Sequence, residues 1–294
     1  MGEMKAIEDA YDTILENSLT IVRYSNSSLV NVSEKLRKID EKLYFFAYHY
    51  LRFANQRLTF IYFLSNNGNR YDTQIIFRTF LECLTRLIYI TYKDSHDGIK
   101  TALEEIFIDL SDIQFLRTST NLAPLSGNTS FPQNSSNMWR AAKTTSEEGN
   151  EVRTRTTGKD RSRINHKYSF SEMVREISTS RAGPLAEFNV MLHSYNQASH
   201  IAHADLMGIN LVEDFESREE DEGYLMSFAH RSSMISDATH LLTIAYKLIY
   251  SVVGDALDLA PINNHVRLMD DATKLINDAF YATQAHLYEA SDSR

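Results

Sequence analysis

The sequence predicts an all-α fold: a multi-helix bundle with one long coiled-coil-like helix at 32–65 and a polar insertion. Three observations predict it. Apolar residues recur at spacings of three and four along most of the chain, the period of a helix with a buried face. Only 4 prolines and 10 glycines interrupt 294 residues, so long helices are rarely broken. The stretch QIIFRTFLECLTRLIYITY, Gln74 to Tyr92, is apolar on nearly every side, as an interior helix is.

In chain order, Ile7, Tyr11, Ile14, Ser18, Ile21 and Val22 trace a first helix near 4–24, and Ser25 to Ser28 read as a turn. Asn31 with Glu34 resembles a capping box, which starts the next helix. That helix carries Val32, Leu36, Ile39, Leu43, Phe46, Tyr50 and Phe53, then Phe60 and Leu64 after a break at Arg57, a coiled-coil-like seam. The seam exceeds what one partner helix of ordinary length covers, so a homodimer or larger assembly is expected through it. Asn66, Asn67 and Gly68 end it, and the central helix follows at 71–93. Asp94 or Ser95 suits the cap of a fourth helix near 96–117, with Ile99, Leu103, Ile106, Leu110 and Ile113 inward.

The apolar period then stops. Residues 118–168 are rich in Ser, Thr, Asn and Gly and read as a polar, basic loop or insertion. It separates an N-terminal part of the bundle, 1–117, from a C-terminal part of the same bundle, 169–294. Helical signals return at 169–181 and 184–207, with Pro184 suited to a first turn. Glu213 to Glu222 holds seven acids and one base and reads as an exposed loop. Strong periodicity over 223–253 and 262–290 closes the chain.

Composition excludes several classes. One cysteine, Cys83, permits no internal disulfide framework, which points to a reducing, cytoplasmic setting; within the apolar helix it reads as core. No apolar run is long enough for a bilayer, so no membrane partner is expected. The start, MGEMKAIEDA, lacks the apolar core of a signal peptide, and Ala6 stands where a myristoylation site has Ser or Thr. A net charge of −9 gives no general attraction to nucleic acid. From Trp139 to Tyr168, however, eight bases face four acids, a local +4. Arg153, Arg155, Lys159, Arg161, Arg163 and Lys167 are the candidates for binding RNA or another polyanion.

The polar residues of the central helix form one line. Arg78, Glu82 and Arg86 are spaced by four, as are Tyr195, Ser199 and His203 in YNQASHIAHAD. Such spacing puts each set on one helix face. Charges in an apolar setting need partners, so the two stripes are expected to dock. The cluster is either a structural polar network or a site using Arg78, Glu82, Tyr195, Ser199 and His203.

Other motifs are weaker. There is no phosphate loop, no G-x-G-x-x-G and no H-E-x-x-H, and no cofactor is implied. His193, His200 and His203 lack an acid at metal-ligand spacing, so no metal is assigned. His230, Ser233, Asp237 and His240 share a helix face, but a nucleophilic serine needs an exposed, strained turn. Arg161 and His166, in RSRINH, are separated by four residues. That spacing resembles the R-x(4–6)-H motif of the HEPN superfamily, all-helical proteins that include metal-independent ribonucleases. Arg78 with Glu82, and Tyr195, Ser199 and His203, resemble a prokaryotic all-helical family of unknown function with R-x-x-x-E and Y-x-x-x-S-x-x-x-H helices. Ala204 replaces the proline that often follows the histidine. The resemblance covers about 70–210 and implies a helical bundle loosely akin to HEPN-like defence proteins. Two function classes follow. One is an effector of a prokaryotic defence or toxin system, an RNA-cleaving nuclease using Arg and His. The other is a non-catalytic binding or scaffold protein with a protein partner.

Overall fold

The computed structural model describes residues 2–93, 96–126, 146–180, 185 and 188–289, and among them every regular element is a helix. The chain divides into two units: Met1–Tyr92 with Ile177–Arg294, and Lys93–Glu176 between them. No helix of the described residues is long and apolar enough to cross a membrane.

In the first unit, α1 (Gly2–Ile39), α2 (Glu41–Asn66) and α3 (Arg70–Thr91) precede the second unit. A 3-10 turn (Phe188–Val190), α9 (Met191–His203), α10 (Leu206–Glu216), α11 (Glu220–Val252) and α12 (Asn263–Glu289) follow it. Helix α11 packs against α1, α2, α3 and α12, while α3 packs against α2, α9 and α11. Ile235, Ala238, Leu242, Ala245, Tyr246 and Ile249 of α11 are buried together with Phe77, Phe80, Leu81, Leu84, Leu87 and Ile88 of α3. One polar knot sits in this core. Ser18 bonds to Tyr62 and, at 2.7 Å, to Thr239, joining α1, α2 and α11. Burial pushes the Tyr62 phenol up to about 12, so it stays a neutral hydroxyl.

Several boundaries differ from those expected. The turn at Ser25–Ser28 is helix interior. Ser27 and Ser28 return their hydroxyls to the Tyr24 carbonyl at 2.7 and 3.1 Å, and Asn26 accepts from Tyr246 at 2.9 Å. These polar residues are satisfied inside a helix, so nothing stops it there. The first helix therefore does not end near 24, and Asn31 caps nothing. The break comes at Asp40, whose backbone is extended and whose side chain accepts the Leu43 N–H at 2.9 Å. The helix expected at 32–65 is thus two helices. Val32 and Leu36 belong to α1, and Leu43 and Phe46 to α2, all buried, whereas Phe53 and Phe60 face outward. The continuous seam that motivated self-assembly is absent. Farther on, the helix expected at 184–207 ends at His203, and Asp205 starts another. The acidic stretch Glu213–Glu222 is not a loop. Arg218 bridges Asp214 of α10 at 3.0 Å and Glu222 of α11 at 2.5 Å, so the acids pair across a tight corner.

The second unit contains α4 (His96–Glu104), a π-helical stretch (Glu105–Leu110), α5 (Ser111–Ser126), α6 (Ser146–Arg155), α7 (Gly158–Lys167) and α8 (Phe170–Ser180), which belongs to it as far as Glu176. Ile99, Leu103, Ile106, Leu110 and Ile113 face inward as expected. Of the expected loop, residues 127–145 lie outside the described residues, as do Asp94 and Ser95, the expected caps of the fourth helix. The loop's remainder is helical, which corrects the 118–168 loop reading. Val152, Ile164 and Tyr168 supply a small buried set, and Thr157 with Asp160 forms a capping box. Too few apolar residues stand in these short helices to set up a period, but the T-x-x-D cap was readable.

Because Asp40 supplies the side-chain cap of α2, Asp40→Ala should cost about 1 kcal/mol. Urea unfolding of the two proteins measures it; an unchanged midpoint would show that the break needs no cap.

Candidate functional site

Helix α3 buries most of its circumference, and its remaining line carries Gln74, Arg78, Glu82 and Arg86. Helix α9 lies against it and brings Tyr195 and His203 onto Arg78. Arg78 Nε donates to Glu82 Oε1 at 3.2 Å, Nη2 to Tyr195 Oη at 3.3 Å, and Nη1 lies 3.1 Å from His203 Nε2. Tyr195 Oη donates to Glu82 Oε1 at 2.8 Å, which closes a ring. The guanidinium carbon also sits 5.1 Å from the Tyr195 ring centre. Arg78, Glu82, Tyr195 and His203 therefore meet as the spacing implied. Ser199 stands between Tyr195 and His203 on α9, half-buried, with no side-chain hydrogen bond among the described residues.

Burial opposes the Arg78 cation, but its bonds to Tyr195 and Glu82 outweigh that and raise its pKa. Burial and the Glu82 carboxylate together raise the Tyr195 phenol, which keeps it a proton donor. A guanidinium always donates, so in this contact His203 Nε2 is the acceptor.

The expected deep burial is corrected. The Arg78 side chain is 19% exposed, the Glu82 side chain 40%, and His203 is exposed. The central helix is covered on three sides only, and the polar line is its fourth. At this exposure the Arg78–Glu82 pair contributes about 1 kcal/mol or less.

His203 is aimed by an abrupt corner. Ala204 adopts a left-handed conformation at φ +47°, and Asp205 then accepts the Gly208 N–H at 3.0 Å to start α10. A Cβ on Gly208 would lie 2.4 Å from the His200 carbonyl oxygen, so only glycine lets the two helices approach this closely. His200 pairs with Asp205 at 2.8 Å. Among the described residues no histidine, cysteine or carboxylate side chains gather as a metal set.

The rival pair stands on α7, in the second unit. Arg161 turns back to the Thr156 carbonyl, and His166, 72% exposed, lies 3.7 Å from Glu172. No hydrogen bond joins them. Of the other basic candidates, Arg155 pairs with Asp112 and Lys167 with Glu105. Lys159 and Arg163 are exposed one turn apart on α7, and Arg153 is exposed on α6. Nor does a Ser–His–Asp relay form: Ser233 meets Asn277 at 3.4 Å and His240 meets Asp270 at 2.8 Å.

One feature escaped the sequence reading. His49, Tyr50 and Phe53 of α2 face Thr79, Glu82, Cys83 and Arg86 of α3 across a cleft of about 460 Å³. Its only hint in the sequence was the aromatic run YFFAYHY, whose register against α3 no period reveals. Burial pushes the Cys83 thiol up to about 12, so it is no nucleophile.

Two stability changes test this description. Ala204→Gly removes left-handed strain and should stabilise by about 0.5–1 kcal/mol; a destabilised protein would refute the corner. Asp237, in a small cleft with His230 and Ser233, has its carboxyl pushed by burial from 3.8 to about 6. The folded state therefore holds this proton more tightly, and stability is lost as pH rises from about 4 through about 6. Asp237→Asn should add about 1–3 kcal/mol at pH 7.5 and almost nothing at pH 3.5. A gain independent of pH would contradict it.

Comparison with protein-family models, with curated proteins and with solved structures gave no significant match, so the two helix motifs are the whole basis of the family resemblance.

Proposed function

We propose that the Arg78–Glu82–Tyr195–His203 cluster is the active site of a metal-independent ribonuclease, acting as an effector in a prokaryotic defence or toxin system. The observation that carries the reading is His203 Nε2 held 3.1 Å from Arg78 Nη1 on an open surface. An RNA phosphate would take the guanidinium hydrogens that the ring leaves unused. In doing so it competes with His203 for Arg78 and frees Nε2 as a base. The ribose 2′-oxygen attacks phosphorus while its proton passes to Nε2. The bond to the 5′-oxygen breaks, and that oxygen takes the proton back from the imidazolium. The products are a 2′,3′-cyclic phosphate and a 5′-hydroxyl. Arg78 steadies the charge on the phosphorane oxygens. Glu82 and Tyr195 hold the guanidinium in place, and the Ser199 hydroxyl can reach a phosphate oxygen. In the second unit the exposed Arg153, Lys159 and Arg163 suit contacts to RNA phosphates.

The scaffold reading has its own support. Phe63 of α2 is 63% exposed and Leu206 of α10 is 75% exposed, with Phe53, Phe60, Met207 and Ile209 also outward. Apolar faces of this kind suit a protein partner or a second copy.

Purified protein should cleave total RNA in excess chelator and leave cyclic phosphate ends. His203→Ala should lower the rate by about 100-fold or more with an unchanged melting temperature, and should relieve growth arrest on expression in bacteria. His166→Ala should do neither. A wild-type protein that cleaves no RNA, or a His203→Ala protein as active as wild type, leaves the scaffold reading standing.

A further inference from the structure

The cleft between α2 and α3 has an arginine in its wall. Arg86 lines it, with Nη1 3.4 Å from the Tyr50 hydroxyl and a buried Nε that has no hydrogen-bond partner. Arg57, outside the lining, lies over the ring of Phe53 at 4.4 Å, and its buried Nε is likewise unpartnered. Neither arginine has an ion pair among the described residues. The acid in the wall, Glu82, is already engaged by Arg78 and Tyr195. The Arg86 guanidinium thus keeps a buried N–H without an acceptor, which is costly unless an anion joins it.

The α2 side of the wall is aromatic. Tyr50 stacks on the buried Phe46 at 4.1 Å between ring centres, and His49 and Phe53 complete one side. Flat rings beside a guanidinium suit a planar group joined to an anion. A volume of about 460 Å³ falls in the range of small-ligand pockets, roughly 300–1,000 Å³.

We infer that this cleft binds a small molecule joining a flat ring to an anionic group, a nucleoside monophosphate, with Arg86 on the phosphate and Phe53, His49 and Tyr50 around the base. The inference does not depend on RNA cleavage, because binding here needs neither Arg78 nor His203.

Equilibrium dialysis with the four ribonucleoside 5′-monophosphates tests it, with nucleosides, inorganic phosphate and benzoate as separate probes. At least one monophosphate should bind with Kd below about 1 mM. Nucleoside alone, phosphate alone and benzoate should each bind at least about 10-fold more weakly. Arg86→Gln should weaken the monophosphate by at least about 10-fold at an unchanged melting temperature, and His203→Ala should leave it intact. Should Arg86→Gln fold poorly, Phe53→Ala at the outward rim replaces it, and the same weakening is required. Absence of monophosphate binding at about 1 mM, benzoate binding as tight as the monophosphate, or full binding by the folded variants overturns the inference. Monophosphate binding by a protein that cleaves no RNA supports this cleft and overturns only the cleavage reading.

Discussion

A helix buried on three sides has one line left for polar side chains, and on α3 that line is Gln74, Arg78, Glu82 and Arg86. The constraint comes from packing. α2, α9 and α11 each take a face of α3, and the core admits Phe77, Phe80, Leu81, Leu84 and Leu87 without a charge among them. The charged residues are confined to the seams where α3 meets its neighbours. Arg78 falls on the seam with α9 and meets Tyr195 and His203. Arg86 falls on the seam with α2 and meets Tyr50. One stripe, spaced by four, thus feeds two different polar environments.

That explains which parts could be read from residue order. Spacing by four predicted that Arg78 and Glu82 share a face, as do Tyr195 and His203, and their need for partners predicted that they meet. Spacing cannot say how far a helix face is covered, so the half-exposed state of the cluster was not legible. Nor can it set the register of α2 against α3, which is what places His49 and Phe53 opposite Glu82. Helix ends were misjudged where polar residues had partners out of sequence reach. Asn26 is held by Tyr246, more than two hundred residues on, and so does not stop α1. Asp40 does stop it, with a bond only three residues away. At 146–167 the failure was of another kind. Val152, Ile164 and Tyr168 are enough to seat short helices but too few to make a period.

Arginine in this fold serves more than one physical purpose, and the contrast sharpens what the surface cluster is. Arg231 is buried and needs no acid. It donates to the Ser65 carbonyl at 2.6 Å and the Ser227 carbonyl at 3.2 Å, and lies between the rings of Tyr11 and Phe228. That is a satisfied structural cation, closed to ligands. Arg78 is held as firmly, yet by titratable groups instead of carbonyls and beside solvent. A purely structural role would be met by carbonyls or by one carboxylate. A phenol and an imidazole add groups able to exchange protons.

Glu82 is the hinge between the two environments. Its carboxylate accepts from both Arg78 and Tyr195, and the same residue forms part of the wall of the cleft that holds Arg86. An anion bound beside Arg86 would place negative charge on the far side of Glu82 from Arg78. Like charges repel most where water is scarce. The repulsion would press Glu82 toward its Arg78 and Tyr195 partners and tighten the ring that presents His203. Through this one side chain, occupancy of the cleft would bear on the geometry of the cluster. Any such coupling is reciprocal by thermodynamic necessity: a phosphate held by Arg78 would also change the field that an anion in the cleft meets.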